Sequence, residues 1–192
     1  MGLVQTSPPL VEPVVLADVK LNSRIDGTAD DTLLPLLIGA ARRYAESYTG
    51  RSFITQSWKL VLDEFPCAPV QLERGDVQSV TSITYLAMDG TTQTMPTSDY
   101  VVDMSCAIAR ITPVFGKIWP VSMPQIGSVS INYVAGYGLT SETVPEGIRH
   151  WIQMRVATLY ENREEAAVGP RIVVLELPYV DGLLDPYSIV SL

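Results

Sequence analysis

The stretch VPEGIRHWIQMRVATLYENREEAAVG, residues 144–169, carries the clearest periodicity in the chain. Ile148, Trp151, Ile152, Val156, Leu159 and Tyr160 recur at three- and four-residue spacings, which predicts one helix over 145–166 with a wide apolar stripe. Pro145 and Glu146 suit a first turn, where few amides have helical partners to lose. Arg149, Gln153, Glu161 and Glu164 fall on the opposite side, and ENREE, 161–165, closes the pattern with charge. A stripe this wide needs a partner helix. None of its residues forms a recognisable catalytic set.

That partner is sought upstream. In DDTLLPLLIGAARRYAESYTGR, 30–51, Leu33, Leu37, Ala41, Tyr44, Ala45 and Tyr48 follow helical spacing. The segment predicts a helix over 32–49, capped by Asp31 or Thr32 and ended by Gly50 in a left-handed conformation. Arg42, Arg43 and Glu46 are expected on its other faces. LADVKLNSRI, 16–25, reads as a shorter helix.

Between these helices the period changes to two. ITQSWKLVLDEFP alternates Ile54, Trp58, Leu60 and Leu62 with smaller or polar residues, and GSVSINYVAGYG alternates Val129, Ile131, Tyr133 and Ala135. VQSVTSITYLAMDGTTQTM, 77–95, predicts a hairpin turning at Asp89-Gly90. The fold class expected is therefore α+β. A helical body (16–52 and 140–169) carries a β-rich insert lobe (53–139), with an extended Pro-rich arm (1–15) and a C-terminal tail (170–192) that packs home or docks elsewhere.

Composition narrows the function. Hydrophobic residues make up 47% of 192 residues, enough for a real core. No apolar run reaches the roughly 18 residues of a membrane helix, and the start lacks the basic and apolar segments of a signal peptide. Gly2 with Thr6 fits the short myristoylation pattern, against which the plain reading is an extended leader. A net charge of −8 argues against coating nucleic acid, though an acidic wall suits a passage along which DNA slides. Cys67 and Cys106 are expected to be buried, reduced thiols.

Chemistry is sparse. His150 is the one histidine, with no carboxylate spaced to partner it. No serine sits in a nucleophile elbow. AGYG, 135–138, lacks the third glycine and the helix start of a dinucleotide site. Asp30 with Asp31, and Asp99 with Asp103, read as cap and loop residues rather than metal ligands. No catalyst, metal or cofactor is expected.

Taken in order from about 16 to 187, the pieces LPLLIGAARRYAESYTGRSF, ITQSWKLVLDEFP, VQLERGDVQSVTSITYLAMDGT, SDYVVD, SVSINYVAGYG, VPEGIRHWIQMRVATLYENRE and LLDPY resemble the head–tail connector (adaptor or head-completion) proteins of long-tailed bacteriophages and gene transfer agents. The resemblance implies a structural virion protein made in the host cytoplasm. It implies a homo-oligomer, a dodecameric ring beneath the portal protein. That ring extends the DNA channel without sequence-specific binding and presents a surface to a neck or tail-completion protein, with no membrane involved. The resemblance also suggests a portal-docking tail at Leu183, Leu184, Pro186 and Tyr187. The sequence departs from the family in its last residues, SIVSL, which suit strand addition to a neighbour's sheet edge. A subunit interface is expected at Arg149, Gln153, Arg163 and Glu164. The alternative is another tail-completion or DNA-packaging accessory protein.

Overall fold

The computed structural model describes residues 1–162 and 181–189. Among these residues the chain forms three helices and eight strands, with strands in two antiparallel sheets: an α+β fold. The helices are α1 (Leu16–Ser23), α2 (Leu34–Thr49) and α3 (Glu146–Glu161). The strands are β1 (Gly2–Ser7), β2 (Gln56–Leu62), β3 (Val70–Leu72), β4 (Val77–Leu86), β5 (Thr92–Thr94), β6 (Tyr100–Asp103), β7 (Ala109–Pro113) and β8 (Val129–Ala135).

The larger sheet runs β1-β2-β8-β4-β5 and the smaller β3-β7-β6. In β2 the buried residues are Gln56, Trp58, Leu60 and Leu62, and in β8 they are Val129, Ile131, Tyr133 and Ala135. Period-two alternation thus puts one face of each strand into a shared core. Register pairs Leu60 with Ile131 and Leu62 with Val129. The smaller sheet closes that core with Leu72, Ala109 and Ile111.

A second core lies among the helices. Ile148, Trp151, Ile152 and Val156 of α3 meet Leu34, Ile38, Ala41 and Ala45 of α2, with Val19, Phe53 and Ile54 alongside. Of the α3 stripe read from sequence these four are buried, Tyr160 packs against them and Leu159 is half-buried outside this core. On α2 the buried set is displaced by about one residue from the expected stripe, to Leu34, Ile38, Ala41, Ala45 and Thr49. The reason is that Tyr44 and Tyr48 lie at the rim, stacked beside Trp151 and half exposed, instead of pointing inward. Neither Asp31 nor Thr32 caps α2. Leu33 occupies the cap position without a side-chain bond, because a turn through Asp30 already leads into the helix. Gly50 ends α2 at φ 69°, as read.

Three further corrections concern the edges of the elements. Residues 2–7 are an edge strand on β2, with Gly2 opposite Val61 and Leu3 opposite Leu60, so this part of the leader belongs to the sheet. At the β4–β5 turn only Gly90 has a positive φ, 82°; Asp89 instead accepts bonds from the Thr91 amide and hydroxyl, which makes a longer loop than a two-residue turn. Cys67 and Cys106 are free thiols, both exposed, because each lies in a loop outside the strands.

The two cores meet at a joint made by the turn Arg74-Gly75-Asp76. All three residues have positive φ (70°, 28° and 50°), a strained run for non-glycine residues. Several contacts hold it. Arg51 Nη1 donates to Asp76 Oδ2 at 2.6 Å, and the Arg74 guanidinium lies 4.8 Å over the Trp58 ring. The Ser52 and Gly136 amides donate to the carbonyls of Arg74 and Asp76. Gly136, at φ 136°, passes so close to Ile54 that a Cβ there would sit 2.6 Å from its backbone carbon and oxygen.

Candidate assembly surfaces

The buried polar groups are structural. Arg42 and Glu46, expected on solvated faces of α2, are each 7% exposed. Burial is tolerated because every charged edge is occupied. Arg42 Nη1 donates to Glu46 Oε2 at 2.8 Å, and Arg42 Nε to Glu12 Oε2 at 2.7 Å. Glu46 Oε1 accepts from the Phe53 amide at 3.0 Å and from Gln56 Nε2 at 2.8 Å. Burial opposes the Arg42 charge, but Glu12 and Glu46 outweigh it and hold the guanidinium pKa above its ordinary value. Gln5 in turn donates to Gln56, so the leader, α2 and β2 share one network.

Candidate chemistry does not converge. Asp103 is held down to about 2 by bonds from Ser105 and Arg110, and all three side chains belong to an exposed loop edge. Asp99 pairs with Lys117 and Asp31 with Lys20. Tyr160 Oη donates to Asp30. His150 is exposed on α3. Among the described residues no group of three potential metal ligands comes together, and no helix is long and apolar enough to cross a membrane.

The predicted interface residues separate. Arg149 and Gln153 are partly covered on α3, and Arg149 Nε is buried without a hydrogen-bond partner. Arg163 and Glu164 lie outside the described residues, as does the continuation of the helix predicted to 166. Among the tail residues, Leu184 is fully buried in the helical core, with Leu183 and Tyr187 packed against it and Pro186 exposed. The segment is tied down by Tyr48 Oη to Asp185 at 2.7 Å, Arg51 Nε to the Tyr187 carbonyl at 2.6 Å and the Ile189 amide to the Thr49 carbonyl at 2.8 Å. Within this chain, then, Leu184 is an internal anchor and Pro186 is the one of the four that faces outward.

Two surfaces escaped the sequence reading. The first lies along α2 and α3. Tyr44 stacks on Trp151 at 5.6 Å and on Tyr48 at 6.5 Å, and Arg155 lies 5.6 Å over the Tyr44 ring, with Arg43 exposed beside it. The second is the long β7–β8 connection, where Phe115, Ile118, Val121 and Ile126 stand exposed. It is propped by Trp119 on Phe65 at 4.7 Å and by the Met123 amide on the Leu86 carbonyl.

Residues 13–101 match the model of the phage gp6-like head-tail connector protein family. That is the family the sequence resembles. The fold agrees over the whole chain. It superimposes on a chain in the neck of an empty gene transfer agent particle computed with C6 symmetry, at TM-score 0.83 and 20% identity, covering 100% of this chain and 97% of that one. A chain from the virion of a native gene transfer agent particle gives 0.82, and one from the neck of a native particle computed with C12 symmetry gives 0.75, both at 20% identity and the same coverage. At that identity the connector likeness is one of fold. No curated protein matches the sequence.

Proposed function

We propose that the protein is a structural connector of a phage-like particle: copies assemble as a ring under the portal, extend the DNA channel and join the DNA-filled head to the neck or tail. One observation carries this reading. The fold agrees from end to end with chains from particle necks, while a connector family matches 13–101 independently. The physical character of the surface supports it. Buried polar groups such as Arg42, Glu46 and Gln56 are paired inside the fold, large aromatic and apolar side chains stand exposed at Tyr44, Tyr48, Phe115 and Ile118, and no catalytic set forms among the described residues. The net charge of −8 suits a wall past which DNA slides instead of sticking. In a cyclic ring each copy must present two different, complementary faces. Arg149 and Gln153, partly covered on α3, belong to one such face; Arg163 and Glu164, outside the described residues, are proposed as further interface residues. Of the four tail residues, Pro186 is the one placed to meet the portal, since Leu184 is occupied internally.

The test is stoichiometric. Purified chain mixed with purified portal rings of the same particle should shift the ring's mass, by mass photometry, by one full ring of copies. An unchanged portal mass at micromolar chain would overturn the portal-bound arrangement.

A further inference from the structure

We propose that the face between α2 and α3 seats a second copy of this chain, and that what it receives is the far end of the neighbour's larger sheet. The inference rests on the connector reading and names the two surfaces that meet.

The seat has the composition of an interaction hot spot. Tyr and Arg are enriched at such spots, and the Tyr rings supply large contact area at little entropic cost. Tyr44 is 48% exposed and Tyr48 42% exposed, although both rings are already aligned by stacking. Arg155 is held over Tyr44, and neither Arg43 nor Arg155 forms an ion pair among the described residues. On a chain of net charge −8, Arg43 and Arg155 gather positive charge on this face.

Topology supplies the complement. β2 and β4 both run antiparallel to β8. Gln56, Val77 and Ala135 therefore lie at one end of the sheet, at the joint with the helices. Leu62, Leu86 and Val129 lie at the other. Just beyond that far end stand Asp63, Glu64 and Asp89, all exposed. Asp63 meets the terminal amino group at 4.0 Å, and Glu64 and Asp89 form no ion pair among the described residues. The same end carries the exposed Val121 and Ile126, fixed by the Met123 bond to Leu86 and by the Gly127 amide on Asp63. Acids and aliphatic side chains on one end thus match cations and aromatic rings on the other. The two patches lie apart in the fold, one on the helices and one at the far end of the larger sheet. They suit the head-to-tail contact from which rings are built.

The test uses particles from cells lacking the gene, complemented with four versions of the full chain: unchanged, Arg43→Glu with Arg155→Glu, Asp63→Arg with Glu64→Arg, and all four together. Each pair of reversals should lower the count of joined particles by about ten-fold or more, and the combination should recover most of the loss, as coupled charges do. Circular dichroism of each purified variant should show an unchanged fold. A second measurement reads the contact directly. With Cys67→Ser and Cys106→Ser as background, Arg155→Cys with Glu64→Cys should give a disulfide ladder of multimers from assembled particles. Full activity of both reversed pairs, or monomers alone in the cysteine experiment, would overturn the proposal while leaving the connector reading intact. Loss of DNA retention with necks still joined would overturn it in favour of a DNA surface. Normal particles from the uncomplemented deletion would overturn both.

Discussion

Arg42 Nη1 donates to Glu46 Oε2 at 2.8 Å one turn along α2, with both side chains buried. On sequence alone this pair looks like ordinary surface decoration. In the fold it is the middle of a network that ties Glu12 of the leader and Gln56 of β2 to the helical body. Replacing Arg42 by Ala leaves Glu46 buried with its charge uncompensated. The expected cost is about 3–5 kcal/mol, read from urea unfolding. Arg42→Met with Glu46→Gln should cost less, because the amide introduced at position 46 has no charge to leave unpaired and its oxygen still accepts from the Phe53 amide and Gln56.

The joint gives a second prediction. Gly136→Ala puts a Cβ 2.6 Å from the Ile54 backbone, in a conformation with φ 136° that alanine resists. Backbone cannot swing aside as a side chain can. The variant should lose upwards of about 3 kcal/mol, among the larger effects of single substitutions, or fail to fold. Gly90→Ala, at the open β4–β5 turn with nothing within 4 Å, should cost about 1 kcal/mol from its positive φ alone. Thermal melts of the two variants compare them directly.

The tail anchor gives a third. Leu184→Ala removes a fully buried side chain and should cost about 2–5 kcal/mol. The loss should be local: amide exchange should rise at Ile189, whose amide bonds to Thr49, well before it rises in β2 or β8. Tyr48→Phe deletes the exposed bond to Asp185 and should cost about 1 kcal/mol or less.

Alkaline titration gives a fourth. Burial first, and then the nearby Asp76 charge, push the Tyr137 phenol up to about 12 from its usual 10.0. Burial also raises Tyr133, whose hydroxyl donates to the Glu73 carbonyl. Between those pH values the unfolded chain has lost protons that the folded chain keeps. Stability from these groups is therefore complete below about 10 and falls as pH rises through 10 to 12. Tyr137→Phe should flatten the dependence of stability on pH there, and unchanged steepness would contradict the assignment.

Much of the architecture was legible because it follows short-range periodicity. The α3 stripe and the alternation in β2 and β8 each depend on burial of one face, and both are written in residue type. What was hidden depends on partners far away in the chain. Arg42 and Glu46 could not be placed inside without knowing that Glu12, Phe53 and Gln56 converge on them. Tyr44 and Tyr48 kept helical spacing yet sit at the rim, because aromatic rings satisfy a periodic pattern whether they fill a core or cover its edge. The β7–β8 connection has no period at all, so nothing in the sequence marked Phe115, Ile118, Val121 and Ile126 as exposed. Gly2–Ser7 carries little alternation because an edge strand is held mainly by backbone bonds. The LLDPY segment could pack home or dock elsewhere; the Thr49 and Arg51 contacts that hold it inward are over 130 residues away in sequence.

The central claim is that this fold joins a filled head to what lies below it. Electron microscopy of particles from cells lacking the gene addresses that claim most directly. DNA-filled or recently emptied heads should lie beside unattached tails, with joining restored by the gene in trans. Complete, normally joined particles in the deletion would contradict it.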